Sequence, residues 1–173
     1  ILNLSLPHPV LGLSDDVFGK YSPKVEAAPT EDLFIFKIDH LLENKTLEEL
    51  IKTEKAQFCV EVNCPATIYR ESYLSFEFSQ EIKIKQEFLR NRFDLTFYII
   101  ASSQLPHYSN DDFNYDYEGS DFDLDKGDIL AYGGEIKQFA VKDWSSLKSV
   151  KSFMSIKKDP DSDGNMSFQL SPD

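Results

Sequence analysis

Between Phe76 and Lys85 the apolar side chains Phe76, Phe78, Ile82 and Ile84 share one parity. Glu77, Ser79, Glu81, Lys83 and Lys85 take the other. A period of two marks a strand with one face in a core and one in water, because successive Cβ atoms point to opposite sides of a pleated sheet. The pattern recurs at Leu33–Ile38, where Phe34, Phe36 and Ile38 share a face, and at Phe58, Val60 and Val62. Pro65 stops or bulges that strand, and Thr67–Leu74 continues in β-favouring residues. Phe93–Ala101 is apolar on both parities at its end, so it is expected at the sheet centre with both faces covered. A chain built from such segments folds as layered sheet.

Other signals fill in the plan. Thr46 and Glu49 form a capping-box pattern ahead of the stripe Leu47, Leu50 and Ile51, with Glu48 and Lys52 four apart. That spacing predicts a helix over 46–56. Gly133-Gly134 between Ile129–Tyr132 and Ile136–Val141 predicts a tight hairpin. Trp144–Lys151 reads as a short helix or turn. Phe153, Met154 and Ile156, then Met166, Phe168 and Leu170, read as a last hairpin around Asp159–Asn165. Pro7, Pro9, Pro23 and Pro29 make residues 1–30 an extended strap on a sheet edge, pinned by Leu6, Val10, Leu11 and Leu13. The expected fold is α+β, mainly antiparallel β, a sandwich or partly open barrel of about eight or nine strands with one firm helix.

Size and composition agree with a single domain. A chain of 173 residues can bury roughly 70% of its unfolded surface, and 41% hydrophobic with 13% aromatic residues supplies the core. The start at Ile1 and the stop at Ser171-Pro-Asp, directly after a strand, lead to the expectation of a longer native chain with a further domain downstream. Cys59 and Cys64 lie five apart, on opposite faces of an extended segment and beyond disulfide reach. They read as reduced thiols in a cytoplasmic protein. No apolar run approaches the ~18 residues of a membrane helix.

A net charge of −12 repels phosphate backbones and anionic membranes, which excludes direct nucleic-acid and membrane binding. It favours a partner protein with a basic face. Asp111–Asp128 holds eight carboxylates against Lys126 alone, a local charge of −7. Interleaved with them are Phe113, Tyr115, Tyr117 and Phe122. Residues 104–128 therefore read as a long loop, and loops of that length in compact domains tend to be functional. As a recognition loop it would use Tyr108, Phe113, Tyr115, Asp116, Tyr117, Glu118, Asp121 and Asp123, with Tyr supplying contact area and Asp steering a basic partner. Two other readings compete: a solvated acidic loop tethered by its aromatics, and Ca²⁺ coordination by Asp121, Asp123 and Asp125.

Asp159, Asp161, Asp163 and Gly164 match the opening of an EF-hand loop, but position twelve is Leu170 where a bidentate Glu is required. A turn explains the same letters, with a weak Ca²⁺ or Mg²⁺ site as the alternative. Asp128 followed by Glu135-Ile-Lys137 resembles the motif of the PD-(D/E)xK nuclease families. That resemblance implies two carboxylates on a divalent ion and a lysine that helps activate water. The gap between the carboxylates is short for that family, and Glu81-Ile-Lys83 repeats the letters. His8, His40 and His107 are scattered, and no nucleophile elbow, P-loop or dinucleotide fingerprint is present. The expected function is a non-enzymatic binding or assembly module, with a metal-dependent hydrolase and an acidic DNA mimic as alternatives. A homo-oligomer is open wherever a sheet edge stays unpaired.

Overall fold

The computed structural model describes residues 6–140, 156–158 and 165–168. They form an α+β fold dominated by antiparallel sheet, with eleven strands and one α-helix. A three-stranded sheet has the order β1 (Lys20–Pro29), β2 (Leu33–Glu43), β5 (Ser79–Lys85). A six-stranded sheet runs β10 (Ile156–Lys158), β11 (Asn165–Phe168), β9 (Ile129–Phe139), β6 (Arg92–Ala101), β3 (Ala56–Cys64), β4 (Tyr69–Ser75). The short strands β7 (Leu105–Tyr108) and β8 (Phe122–Leu124) pair separately.

The alternating residues within the strands do what their parity demands; Phe76, expected on the core face, lies in the bend ahead of β5 and is exposed. Phe34, Phe36 and Ile38 of β2 and Ile82 and Ile84 of β5 are buried against Phe58, Val60 and Val62 of β3 and Phe93, Leu95, Phe97 and Ile99 of β6. The layers interlock through ring contacts: Phe93 meets Phe34 and Phe36 edge-on with centroids 5.8 and 5.9 Å apart. Each such ring contributes roughly 1.5–3 kcal/mol of burial. β6 lies between β3 and β9, the central position its sequence predicts. Its second face is less covered than expected, with Asp94, Tyr98 and Ile100 half-buried.

One buried polar unit crosses the core. The Tyr21 hydroxyl donates to His40 Nδ1 (2.9 Å), and His40 Nε2 donates to Gln80 Oε1 (3.1 Å). A glutamine oxygen can only accept, which sets the imidazole tautomer and makes Nδ1 the acceptor. The ring stacks flat on Phe58, centroids 4.0 Å apart and planes 4° from parallel. Burial first of all lowers the His40 pKa from 6.5 to about 4, against smaller raising effects of Gln80 and Asp39.

Several local expectations give way to tertiary context. Among the described residues only Leu6–Gly12 behaves as a strap: Leu11 N–H donates to Leu130 O (3.1 Å), and Tyr132 N–H donates to Leu11 O (2.8 Å). Val10 and Leu11 are buried, whereas Leu13 is exposed. Residues Lys20–Pro29 are not strap but a regular edge strand, where Pro23 and Pro29 are tolerated because one side needs no donor. The helix α1 spans Lys45–Lys52, shorter than expected, and its cap is Asn44, whose side chain accepts from Leu47 N (3.0 Å). Thr46 instead accepts from Asp111 N.

Gly133-Gly134 makes no hairpin; β9 runs on through it. Phe97 pairs with Gly134 and Tyr98 with Tyr132, so Gly133 is the extra residue of a bulge. A Cβ on Gly133 would lie 2.6 Å from the Tyr21 ring and 3.0 Å from Pro23 Cδ, so β9 packs tightly against β1 at this corner. The last hairpin exists as β10 paired with β11, and β11 joins β9 in parallel. Trp144–Lys151 and the Asp159, Asp161, Asp163 turn lie outside the described residues. No helix among the described residues is long and apolar enough to cross a membrane.

Candidate functional site

The acidic segment is not a free loop. β7 and β8 bracket it as a short antiparallel ribbon, and Phe113 sits at the centre of a ring cluster. Its centroid lies 5.9 Å from Tyr108, 6.3 Å from Tyr117 and 6.1 Å from Phe122. Tyr108 (5% exposed) and Phe113 (8%) are core residues. Burial pushes the Tyr108 hydroxyl pKa up to about 12, partly offset by its hydrogen bond with Asn110. Tyr117 and Phe122 are half-buried. Of the aromatics singled out in the sequence, Tyr115 alone faces water, at 82% exposure.

Asparagines hold the segment in place. Asn110 and Asn44 are buried and exchange side-chain hydrogen bonds: Asn110 Nδ2 donates to Asn44 Oδ1 (3.1 Å), and Asn44 Nδ2 to Asn110 Oδ1 (3.3 Å). Asn44 Nδ2 also reaches Phe18 O (3.1 Å). Asn114 caps the 3₁₀ turn Tyr115–Tyr117 by accepting from Asp116 N, and donates to Asp16 Oδ1 (3.2 Å). The chain at 14–18 lies alongside, with Phe18 N donating to Asp112 O (2.7 Å) and Asn114 N to Asp16 O (2.9 Å). Val17 of that segment is buried opposite Phe113.

This pairing brings Asp15, Asp16 and the 60%-exposed Phe18 to the same edge as Asp111, Asp112, Asp116 and Tyr115. The sequence carried no signal for it, because the two segments are almost a hundred positions apart. Asp116, Glu118, Asp121 and Asp123 are exposed. Asp121 and Asp123 are engaged by His107: its Nδ1 bonds Asp121 Oδ2 (2.7 Å), and its N–H donates to Asp123 Oδ1 (3.0 Å). His107 also lines a cavity of about 330 Å³, together with Leu50, Lys55, Leu105 and Tyr108 among others.

The metal readings gain no geometry. Among the described residues no three His, Cys, Asp or Glu side chains gather as an ion would need. Asp128 accepts from Asp125 N (2.8 Å) and so closes a turn ahead of β9. Glu135 and Lys137 project from one face of β9, beyond the bulge. Cys59 and Cys64 are both free and buried. Comparisons of this chain with protein-family models, with curated proteins and with solved structures find no match.

Proposed function

We propose that this chain is a non-enzymatic binding or assembly module that engages the basic face of another protein. The contact would be the edge formed by residues 14–18 and 109–123. One observation carries the reading: Phe18 and Tyr115, 60% and 82% exposed, stand among carboxylates on backbone held by a buried asparagine pair and a ring cluster. Exposed apolar rings rimmed by polar groups mark protein interaction sites, and a prefixed backbone lowers the ordering cost of binding. The carboxylates steer a cationic partner and set its orientation. Tyr108, Phe113 and Tyr117 support the edge from below.

The test replaces the two exposed rings together. A partner isolated by affinity capture and then purified would be titrated against the native chain and against the Phe18→Ala, Tyr115→Ala double variant. The variant is expected to bind at least about tenfold more weakly, the cost of losing aromatic anchors, and native binding should weaken as salt rises. Equal affinity for both chains would refute this edge. A captured nucleic-acid-binding protein displaced by DNA would identify the edge as a DNA mimic.

A further inference from the structure

The six-stranded sheet has a second face, away from the core, and its registers place the side chains in rows. Tyr98 lies between Cys59 on β3 and Tyr132 on β9. In the next row Thr96 lies between Glu61 and Glu135. In the third, Asp94 lies between Asn63 and Lys137. Adjacent strands are spaced about 4.8 Å apart, so Glu61 and Glu135 flank the central strand with backbones about 10 Å apart.

Three features make this more than a wetted sheet. The Tyr98 and Tyr132 rings form a pair with centroids 5.7 Å apart and planes tilted by 44°. Both are half-buried, and among the described residues neither hydroxyl has a hydrogen-bond partner. Glu61 is neutralised by Arg70, whose Nη2 lies 3.2 and 3.1 Å from its two oxygens, and Asp94 by Arg92 at 3.3 Å. Glu135, half-buried beside the tyrosines, has no ion pair among the described residues. The tyrosines sense this charge: after burial itself, Glu61, Tyr132, Cys59 and Glu135 all raise the Tyr98 pKa, to about 12, and Glu135 raises that of Tyr132.

The geometry points to a guanidinium-binding site on this face, with the Tyr98–Tyr132 pair as the platform and Glu135 as the counter-ion. A guanidinium is planar and weakly hydrated, stacks on aromatic faces and bonds a carboxylate through two parallel N–H groups. Half-buried rings strengthen that attraction by displacing water. Glu135 is the one carboxylate in these three rows left uncompensated by an arginine, which is the charge complementarity the site offers. This site is separate from the 14–18 and 109–123 edge, so each stands or falls by itself.

The test uses the full chain, isotopically labelled, titrated with N-acetyl-arginine amide while amide chemical shifts are followed. N-acetyl-citrulline amide, equal in shape but neutral, is the control. The arginine compound is expected to move resonances of residues 59–61, 96–98 and 132–135, and the citrulline compound to leave them in place. Glu135→Gln should weaken the titration at least about fivefold, a loss in the range of one charge-assisted contact, with an unchanged melting temperature. Tyr132→Leu, which keeps an apolar side chain, should weaken it as well. Equal shifts with citrulline would overturn the proposal, as would shifts confined to residues 109–128 or a Glu135→Gln titration equal to the native one.

Discussion

Acidification from pH 7 to pH 5 should destabilise this protein through His40 before most carboxylates titrate. The imidazole is 2% exposed, stacked on Phe58 and committed as neutral donor and acceptor between Gln80 and Tyr21. Its folded pKa is about 4 against 6.5 for the free side chain. The unfolded chain therefore takes up a proton near pH 6.5 that the folded chain refuses until about pH 4. Stability from this group is complete above pH 6.5 and is lost as pH falls towards 4, because unfolding is then coupled to proton uptake. One pKa unit corresponds to about 1.4 kcal/mol, so the full loss is about 3 kcal/mol, of which about 2 kcal/mol falls between pH 7 and pH 5. Urea unfolding at both pH values would be compared for the native chain and His40→Gln, which keeps a donor and an acceptor but does not titrate. The variant is expected to be less stable at pH 7, having lost the ring stack, and to lose about 2 kcal/mol less on acidification. Parallel losses in the two proteins would refute the buried neutral assignment.

Five substitutions test contacts elsewhere in the fold. Phe113→Ala should cost about 3–5 kcal/mol in urea unfolding by emptying the centre of the ring cluster, whereas Tyr115→Ala should stay within about 0.5 kcal/mol. Gly133→Ala should lower stability by about 1–3 kcal/mol, since its methyl group would press on the Tyr21 ring and on Pro23; a thermal melt matching the native one would show that the bulge has room. Asn44→Ala should cost about 2–4 kcal/mol, combining a lost helix cap with a stranded Asn110 amide. Asn44→Asp should keep the acceptor for Leu47 N and Asn110 Nδ2, lose the donor to Phe18 O and Asn110 Oδ1, and fall between native and Ala.

The sheet architecture was legible because parity is a local property. Phe34, Phe36 and Ile38, or Ile82 and Ile84, state which face is buried without reference to the rest of the chain. Errors arose where a distant neighbour decided the outcome. Gly-Gly is a hairpin signal, yet β9 uses Gly133 to pass under Tyr21 and stays a single strand. Pro23 argues against a strand interior, but an edge needs no donor there. Thr46 had the spacing for a capping box, and Asn44 won because its amide could also bond Asn110. At the candidate site the sequence revealed the acidic aromatic composition and not the division of labour. Phe113 and Tyr115 look equivalent as letters, and only the fold makes the first an anchor and the second a free ring. Phe18 was invisible, since its place beside Asp112 depends on a backbone bond across the whole domain.

The Asn44–Asn110 pair has a dynamic consequence. Asn44 ends β2's connection, caps α1 and holds Phe18 O, while Asn110 sets the turn of the acidic segment through Asp112 N. Lifting the segment from the body strands a buried amide and removes the acceptor that orients the helix cap, so neither can open cheaply alone. Helix start and acidic edge should therefore exchange their amide protons as one cooperative unit, Leu47 with Asp112, at an opening free energy set by two side chains rather than by the length of the loop.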